Sequence, residues 1–324
     1  MARVAIIGGG LAGCLVASEL AARNVKVTIV EKSGDIGGKV INYGCKATDT
    51  CRNCGLCLVK DLWETVRGNR EIEILTRTSL VDIEGEKGNY KVTVRENNKI
   101  KVLDEIDSIV VATGFENSSS VPASNLEIND MSNIITGSRL EEIIASRSES
   151  RLTGELSFPG TLKRVAFIQC FGSRDVKGRA PYCSRVCCAY STRMAGVIRQ
   201  YYPGTEITFF YMDFQWIEGR GYVSELAREN IELVKCRPAS IKSGVAGDSP
   251  VKIVVYEDLR HSRLIEREFD MVVLSEGIYP AKDTGRIAEI CRLGQDENGF
   301  LEYVAAPGVM GIYIAGCAGG PKRI

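Results

Sequence analysis

Histidine is almost missing from this chain. Only His261 is present among 324 residues, in the polar stretch Glu257 to Arg263, which nearly excludes acid–base or metal chemistry built on imidazole. Neither sign of charge is in excess. Lys and Arg number 41 and Asp and Glu 41, so nothing argues for wholesale binding to nucleic acid or an anionic membrane. No apolar run reaches the roughly eighteen residues of a spanning helix. The chain does not open with a charged segment and a cleavage site, so a cytoplasmic protein is expected. Apolar residues at 44% and charged residues at 25% are ordinary for a globular protein, and the length suits one large or two medium domains. Cysteine, by contrast, is plentiful at twelve. In a reducing compartment, clustered cysteines point to metal or redox chemistry rather than a disulfide framework.

The first motif is made of glycine. A strand, Val4 to Ile7, runs into Gly8-Gly9-Gly10-Leu11-Ala12-Gly13 and then a helical segment, Cys14 to Ala22. A second strand, Val25 to Val30, ends in Glu31. This is G-x-G-x-x-G with a strand before it, a helix after it and an acid about twenty residues on. Gly8 permits the tight turn, Gly10 lets a pyrophosphate approach the backbone, and Gly13 lets helix and strand pack closely. The helix N-terminus offers free N–H groups to the phosphates, and Glu31 would accept from ribose hydroxyls. A glycine turn without a ligand is the plainer reading, and the flanking strand, helix and acid weigh against it.

Three further elements resemble those of two-dinucleotide flavoproteins and favour FAD over NAD. After Glu31 comes Lys32-Ser33-Gly34-Asp35-Ile36-Gly37-Gly38-Lys39, similar to the glycine pair that lies along the flavin. Ser108 to Val111 followed by Ala112-Thr113-Gly114 resembles the strand-plus-ATG element beside the FAD. Near the C-terminus, Gly311 to Ala315 reads as a strand before Gly316-Cys317-Ala318-Gly319-Gly320-Pro321, where such proteins usually carry Gly-Asp on the ribityl chain. Relatives such as thioredoxin reductase insert an NAD(P)H domain between the last two elements. Here the expected strand, Arg164 to Gln169, leads into Cys170-Phe171-Gly172-Ser173-Arg174, and no second glycine fingerprint follows. Tight NAD(P)H binding is therefore not expected.

Cysteines occupy that place instead. Cys170, Cys183, Cys187 and Cys188 are spaced C-x12-C-x3-C-C, and four thiolates suffice for a [4Fe–4S] cluster, one per iron. If the segment were helical, the x3 spacing would put Cys183 and Cys187 on one face. The vicinal pair could ligate together only if the backbone turned locally, since neighbours on a helix point about 100° apart. Structural zinc is the main rival and buried free thiols the plain alternative.

The run Phe167 to Asp175, then Tyr182-Cys183-Ser184-Arg185-Val186-Cys187-Cys188, resembles the A subunit of heterodisulfide reductases. Tyr211-Met212-Asp213, the Gly219 to Tyr222 turn, Asp296 to Phe300 and Ala315 to Lys322 resemble the same family, so the likeness spans nearly the whole chain. It implies a thioredoxin-reductase-like α/β fold that binds FAD and holds a cluster on the four cysteines. It also implies an oxidoreductase subunit that transfers electrons with other redox subunits of a heterodisulfide-reductase-like complex. The ferredoxin motifs of the methanogen proteins do not occur in this sequence, whose short form is more similar to the family's iron–sulfur flavoproteins in sulfur-metabolising complexes. The family's sequence continues past Gly-Pro-Lys into a flavin-capping helix, beyond Ile324 here. A homodimer, or a complex with such subunits, is the expected assembly.

A second cysteine group, Cys45 with Cys51-Arg52-Asn53-Cys54-Gly55-Leu56-Cys57, has the C-x2-C-x2-C spacing that holds three irons of a cube, with Cys45 the nearest fourth ligand. A redox dithiol facing the flavin is the alternative, then zinc or free thiols. Two other functions follow from these choices: a flavin-dependent disulfide oxidoreductase using Cys51, Cys54 and Cys57, or a non-catalytic redox-sensing subunit. Cys14, Cys236 and Cys291 read as packing or surface thiols. The expected architecture is a discontinuous FAD domain, 1–116 and 270–324, with an inserted α/β domain, 117–269, carrying the cluster loop in place of an NAD(P)H site. A linker is expected at Glu116 to Ser124, helices at Asn129 to Gly154 and Leu226 to Glu232, and a hairpin over Val251 to Phe269.

Overall fold

In a computed structural model the described residues are 1–48, 50–117, 126–128, 130–146, 158, 162–175, 180–215, 226, 230–258, 261–303 and 310–322. They form two compact units. The first comprises Met1–Ile41, Gly55–Glu116 and Tyr279–Lys322, and the second comprises Asn42–Cys54 and Asn117–Ile278. Two stretches thus fall otherwise than the sequence division: 42–54 and 270–278 pack with the second unit. The strand Met271–Glu276 is the reason for the later boundary, because it pairs with Arg164–Phe171. Among the described residues, no helix is long and apolar enough to cross a membrane.

The first unit is built on a parallel sheet ordered Ile312–Ile314, Ser108–Val111, Arg3–Ile7, Lys26–Val30 and Ile72–Leu75. Along Arg3–Ile7, Ala5 and Ile7 enter one core while Val4 and Ile6 enter another. A strand covered on both faces must be apolar throughout, and this one is. Helices α1 (Leu11–Ala21) and α2 (Leu56–Gly68) cover one face through Ala17, Val59 and Trp63. An antiparallel sheet of Thr78–Glu86, Asn89–Glu96 and Lys99–Ile106, with the helix Thr284–Cys291, covers the other through Tyr90, Val92, Val94 and Ile287. Helix α1 begins at Leu11 rather than Cys14, because Gly10 already supplies the extended N-cap.

The second unit repeats the plan. Its parallel sheet runs Ile134–Thr136, Met271–Glu276, Arg164–Phe171, Glu206–Phe210 and Glu232–Val234. Helices α3 (Gly137–Ala145) and α4 (Cys187–Tyr201) pack on one face over Phe167 and Phe209, whose rings stack at 4.7 Å. The antiparallel pair Ser249–Asp258 and Arg263–Phe269, the hairpin expected from the sequence, packs on the other over Ile168, Phe210 and Leu274. The helix expected over Asn129 to Gly154 is shorter. A strand, Ile134–Thr136, precedes it, and Thr136 Oγ1 accepts from Arg139 N as its N-cap. Residues 129 and 147–154 of that segment, residues 155–157 beyond it, most of the 116–124 linker, the Gly219 to Tyr222 turn and 227–229 of the Leu226 helix lie outside the described residues.

Candidate functional site

In the first unit the glycine turn folds as its spacing requires. Gly8 sits at φ +110°, and a Cβ there would meet Ala112 O at 2.4 Å. At Gly13 a Cβ would lie 2.0 Å from Gly8 O, so both positions demand glycine for backbone reasons. Gly10 differs. Its nearest neighbour beyond an added Cβ is Gly38 Cα at 3.9 Å, leaving a bare cradle between two glycines. Glu31 is buried beside it. One carboxylate oxygen accepts from Gly9 N (2.6 Å), and the other accepts from Ser33 N (2.8 Å) and Ser33 Oγ (2.5 Å). The carboxylate is thereby fixed in place with lone pairs to spare for ribose hydroxyls. Gly37 N donates to Gly9 O (2.8 Å), which ties the second glycine pair to the first. Ala112-Thr113-Gly114 follows the strand Ser108–Val111, and Thr113 Oγ1 is buried with no partner among the described residues. Gly316, at φ +63°, begins a 3-10 turn against Ala12, and Cys317 follows it half-buried. Lys32 pairs with Asp283 (3.0 Å) and Lys39 with Glu116 (3.1 Å). A cradle open at Gly10, an oriented acid and an orphaned hydroxyl fit FAD.

In the second unit the four cysteines of the insert come together. Cys170 ends the central strand, and Cys187 and Cys188 open α4. These three are buried, packed by Tyr190, Met212 and Phe214. Cys183 lies half-buried nearby and accepts from Arg185 N (3.3 Å). It precedes the helix, so Cys183 and Cys187 do not share a helical face as the x3 spacing suggested. Cys187 and Cys188 are the first two residues of α4, so the backbone between them is helical.

Cys170 reaches this group by a bulge. Ile168 pairs with Leu274 and Phe171 with Glu276, so the central strand holds one extra residue there. Cys170 takes φ +59°. Strict alternation would put Phe171 with Phe167 under α4 and Cys170 on the opposite face. Instead Cys170 joins the α4 side and Phe171 the hairpin side. Gln169 stays on the α4 side, where its Nε2 and Ser191 Oγ both donate to Ser275 Oγ (3.2 and 2.8 Å).

The thiols perturb one another. Cys187 lies between Cys170 and Cys188, and contact with them pushes its pKa well up. The Cys187 thiol in turn lowers Cys170, and brings Cys188 to about 7. Burial raises Cys183. Ser173, buried in the turn after Cys170, has a hydroxyl with no partner among the described residues. Also among the described residues, no three His, Cys, Asp or Glu side chains are arranged to hold a metal ion. The donor set nonetheless fits a four-iron cube in number and kind, one thiolate per iron.

The early cysteines are divided between the units. Cys45, Cys51 and Cys54 fall in the 42–54 stretch of the second, and Cys57 lies on α2 of the first. Sequence reasoning does not foresee what anchors that stretch. Lys46 forms a buried ion pair with Glu141 of α3, and a Cβ on Gly44 would meet Ala145 N at 2.6 Å. Arg193 of α4 donates to the carbonyls of Arg52 and Asn53 (3.3 and 3.2 Å), and the Arg52 guanidinium lies over Gly196. Cys14 and Cys291 are buried packing residues, pushed by burial to about 12, and Cys236 is half-buried. His261 is exposed against Asp258 (2.7 Å).

Two dinucleotide-type units with this glycine site are those of a redox flavoprotein, and residues 2–145 match the pyridine nucleotide-disulphide oxidoreductase family. The fold is that of thioredoxin reductases. The Lactococcus lactis enzyme superposes with a TM-score of 0.59 at 17% identity, over 100% of this chain and 92% of that one. The T. acidophilum enzyme gives 0.58 at 17%, over 99% and 92%. The chain is homologous over nearly its whole length to part of the A subunits of CoB–CoM heterodisulfide reductases. It is 27% identical to the second iron–sulfur A subunit of Methanopyrus kandleri over 99% of this chain and 61% of that protein. Against the A subunit of the H2:CoB–CoM heterodisulfide,ferredoxin reductase of Methanothermobacter thermautotrophicus it is 27% identical, over 98% and 60%. The chain thus spans about three-fifths of these relatives' length.

Proposed function

We propose that this chain is a cytoplasmic electron-transfer subunit that binds FAD on the first unit, Met1–Ile41, Gly55–Glu116 and Tyr279–Lys322, and a [4Fe–4S] cluster on Cys170, Cys183, Cys187 and Cys188 of the insert. The supporting observation is where those thiols meet. They lie at the carboxyl edge of a parallel sheet, against the N-terminus of α4. That is where a doubly wound fold receives a pyrophosphate, and an anionic thiolate-bound cluster exploits the same helix dipole and free N–H groups. When bound, flavin and cluster supply two-electron and one-electron chemistry respectively. The residues then have separate tasks. Gly10 and Gly38 admit the pyrophosphate, Glu31 orients the ribose, Lys32 and Lys39 flank the glycine pair, and Thr113 and Gly316-Cys317 border the flavin. The bulge at Cys170 and the start of α4 hold the thiolates out of water.

Electrons are passed to other redox subunits of a heterodisulfide-reductase-like complex, or across a homodimer. The C-x2-C-x2-C spacing of Cys51, Cys54 and Cys57, with Cys45 nearest in sequence, supports a second cluster. A flavin-dependent disulfide oxidoreductase is the alternative for them, favoured by the exposure of Cys51 and Cys57. Iron and acid-labile sulfide per chain, with an EPR spectrum of the anaerobically reduced protein, test the proposal. Alanine at Cys170, Cys183, Cys187 or Cys188 removes the cluster or leaves a three-iron form while FAD stays, and Cys236→Ala changes neither. Retention of a full cluster by all four variants would overturn the assignment.

A further inference from the structure

We infer that Arg174, Arg237 and Asp213 form a fixed charge frame that sets the reduction potential of the group held by the four insert cysteines, the guanidiniums raising it and the carboxylate lowering it. The inference rests on the proposed cluster and adds what controls it.

The frame closes around the turn that carries Cys170. Residues 170, 172 and 174 all adopt left-handed φ, at +59°, +70° and +56°. Two arginines fasten this turn. Arg174 NH1 lies 2.7 Å from Asp213 Oδ1. Arg237, just beyond Glu232–Val234, donates from NH1 to Arg174 O (3.2 Å) and places NH2 3.5 Å from Oδ2 of the buried Asp175. Asp213 also accepts from Gln215 Nε2 (3.2 Å). It sits between Met212 and Phe214, which pack directly on the thiols.

The charges are sorted by position. The fields of both guanidiniums reach Cys170, and that of Arg174 reaches Cys183. The field of Asp213 reaches Cys188. Arginine stays protonated throughout, so this pattern is permanent. Reduction adds one electron and therefore one negative charge to the held group. A neighbouring cation stabilises the reduced state and a neighbouring anion destabilises it. Burial of three of the four thiols limits screening by salt, more for the two arginines than for Asp213, whose side chain is 48% exposed.

A frame that only braced the turn would behave differently, because loosening it from either side would perturb the group in the same sense. The test is a dithionite titration of the anaerobically reconstituted full chain, followed by EPR, for Arg174→Gln, Arg237→Gln and Asp213→Asn. Iron, sulfide and FAD are measured on each preparation. The two arginine variants should move the midpoint to more negative values and Asp213→Asn to more positive ones, with iron content and the flavin midpoint unchanged. Arg174→Lys, which keeps the charge and loses the fork, should stay nearer the parent than Arg174→Gln. Shifts of one sign in all three variants, no shift with iron retained, or iron lost from all of them would overturn the inference. Iron absent from the parent protein would instead overturn the four-thiol reading on which it depends.

Discussion

Alanine at Gly10 and at Gly13 should have opposite consequences. Gly10 has φ −73° and ψ −173°, ordinary extended backbone, and an added Cβ has 3.9 Å of clearance. Without ligand, alanine there is tolerated and stiffens the unfolded chain, stabilising by about 0.4–1 kcal/mol. With FAD, the methyl stands where the pyrophosphate approaches. Losing one hydrogen bond to a charged group costs about 1.5–3 kcal/mol, or about 10- to 150-fold in affinity at 1.4 kcal/mol per decade. At Gly13 the Cβ lies 2.0 Å from Gly8 O and 3.3 Å from Ile6 Cγ2, so the backbone must move, and overpacking of this kind costs about 1–3 kcal/mol with or without flavin. The assay pairs the unfolding temperature of flavin-free protein with FAD released on denaturation after saturation. Gly10→Ala should unfold at or above the parent temperature and lose at least tenfold in FAD affinity. Gly13→Ala should unfold lower. Full FAD affinity in Gly10→Ala would show that the pyrophosphate does not pass this glycine.

Three further outcomes are expected. Glu141→Ala strands the Lys46 ammonium in a buried site, costing about 3–5 kcal/mol in urea denaturation; the double variant with Lys46→Met should recover most of it, and simple additivity would refute the coupling. Lys252 holds the Asp130 carboxyl far below its usual range, so Asp130 stabilises the fold above about pH 4 and loses that contribution as pH falls toward its lowered value. The urea midpoint of the parent should thus drop more steeply in acid than that of Asp130→Asn, and parallel curves would contradict this. NADH and NADPH should reduce the flavin poorly, since the Cys170 to Arg174 turn carries a single glycine and a thiol where a second glycine fingerprint would stand; rapid stoichiometric bleaching in stopped flow would refute it.

What can be read from the sequence is local. Gly8, Gly10, Gly13 and Glu31 act within one strand–turn–helix, so their spacing alone specifies the turn. The gathering of Cys170 with Cys187 and Cys188 follows from strand and helix order. The face Cys170 occupies does not, because a bulge reverses the alternation on which any such reading rests. The place of Cys183 escapes the spacing for a related reason: nothing in it signals that α4 starts only at Cys187. The attachment of residues 42–54 to α3 and α4 depends on Lys46 with Glu141 and on Arg52 over Gly196, pairs far apart in sequence whose partners no periodicity reveals.

The strand Ile312–Ile314 completes the first sheet by pairing with Ser108–Val111, which bears on how the chain is made. About 200 residues separate the two, roughly 10–40 s of synthesis at 5–20 residues per second. Throughout that interval one edge of an apolar parallel sheet has no neighbour, and an open edge is a template for pairing with another chain. The second unit must meanwhile gather residues 42–54, which left the ribosome long before its own sheet. Yield in a foreign host should therefore follow translation speed and chaperone supply more closely than the stability of the finished protein.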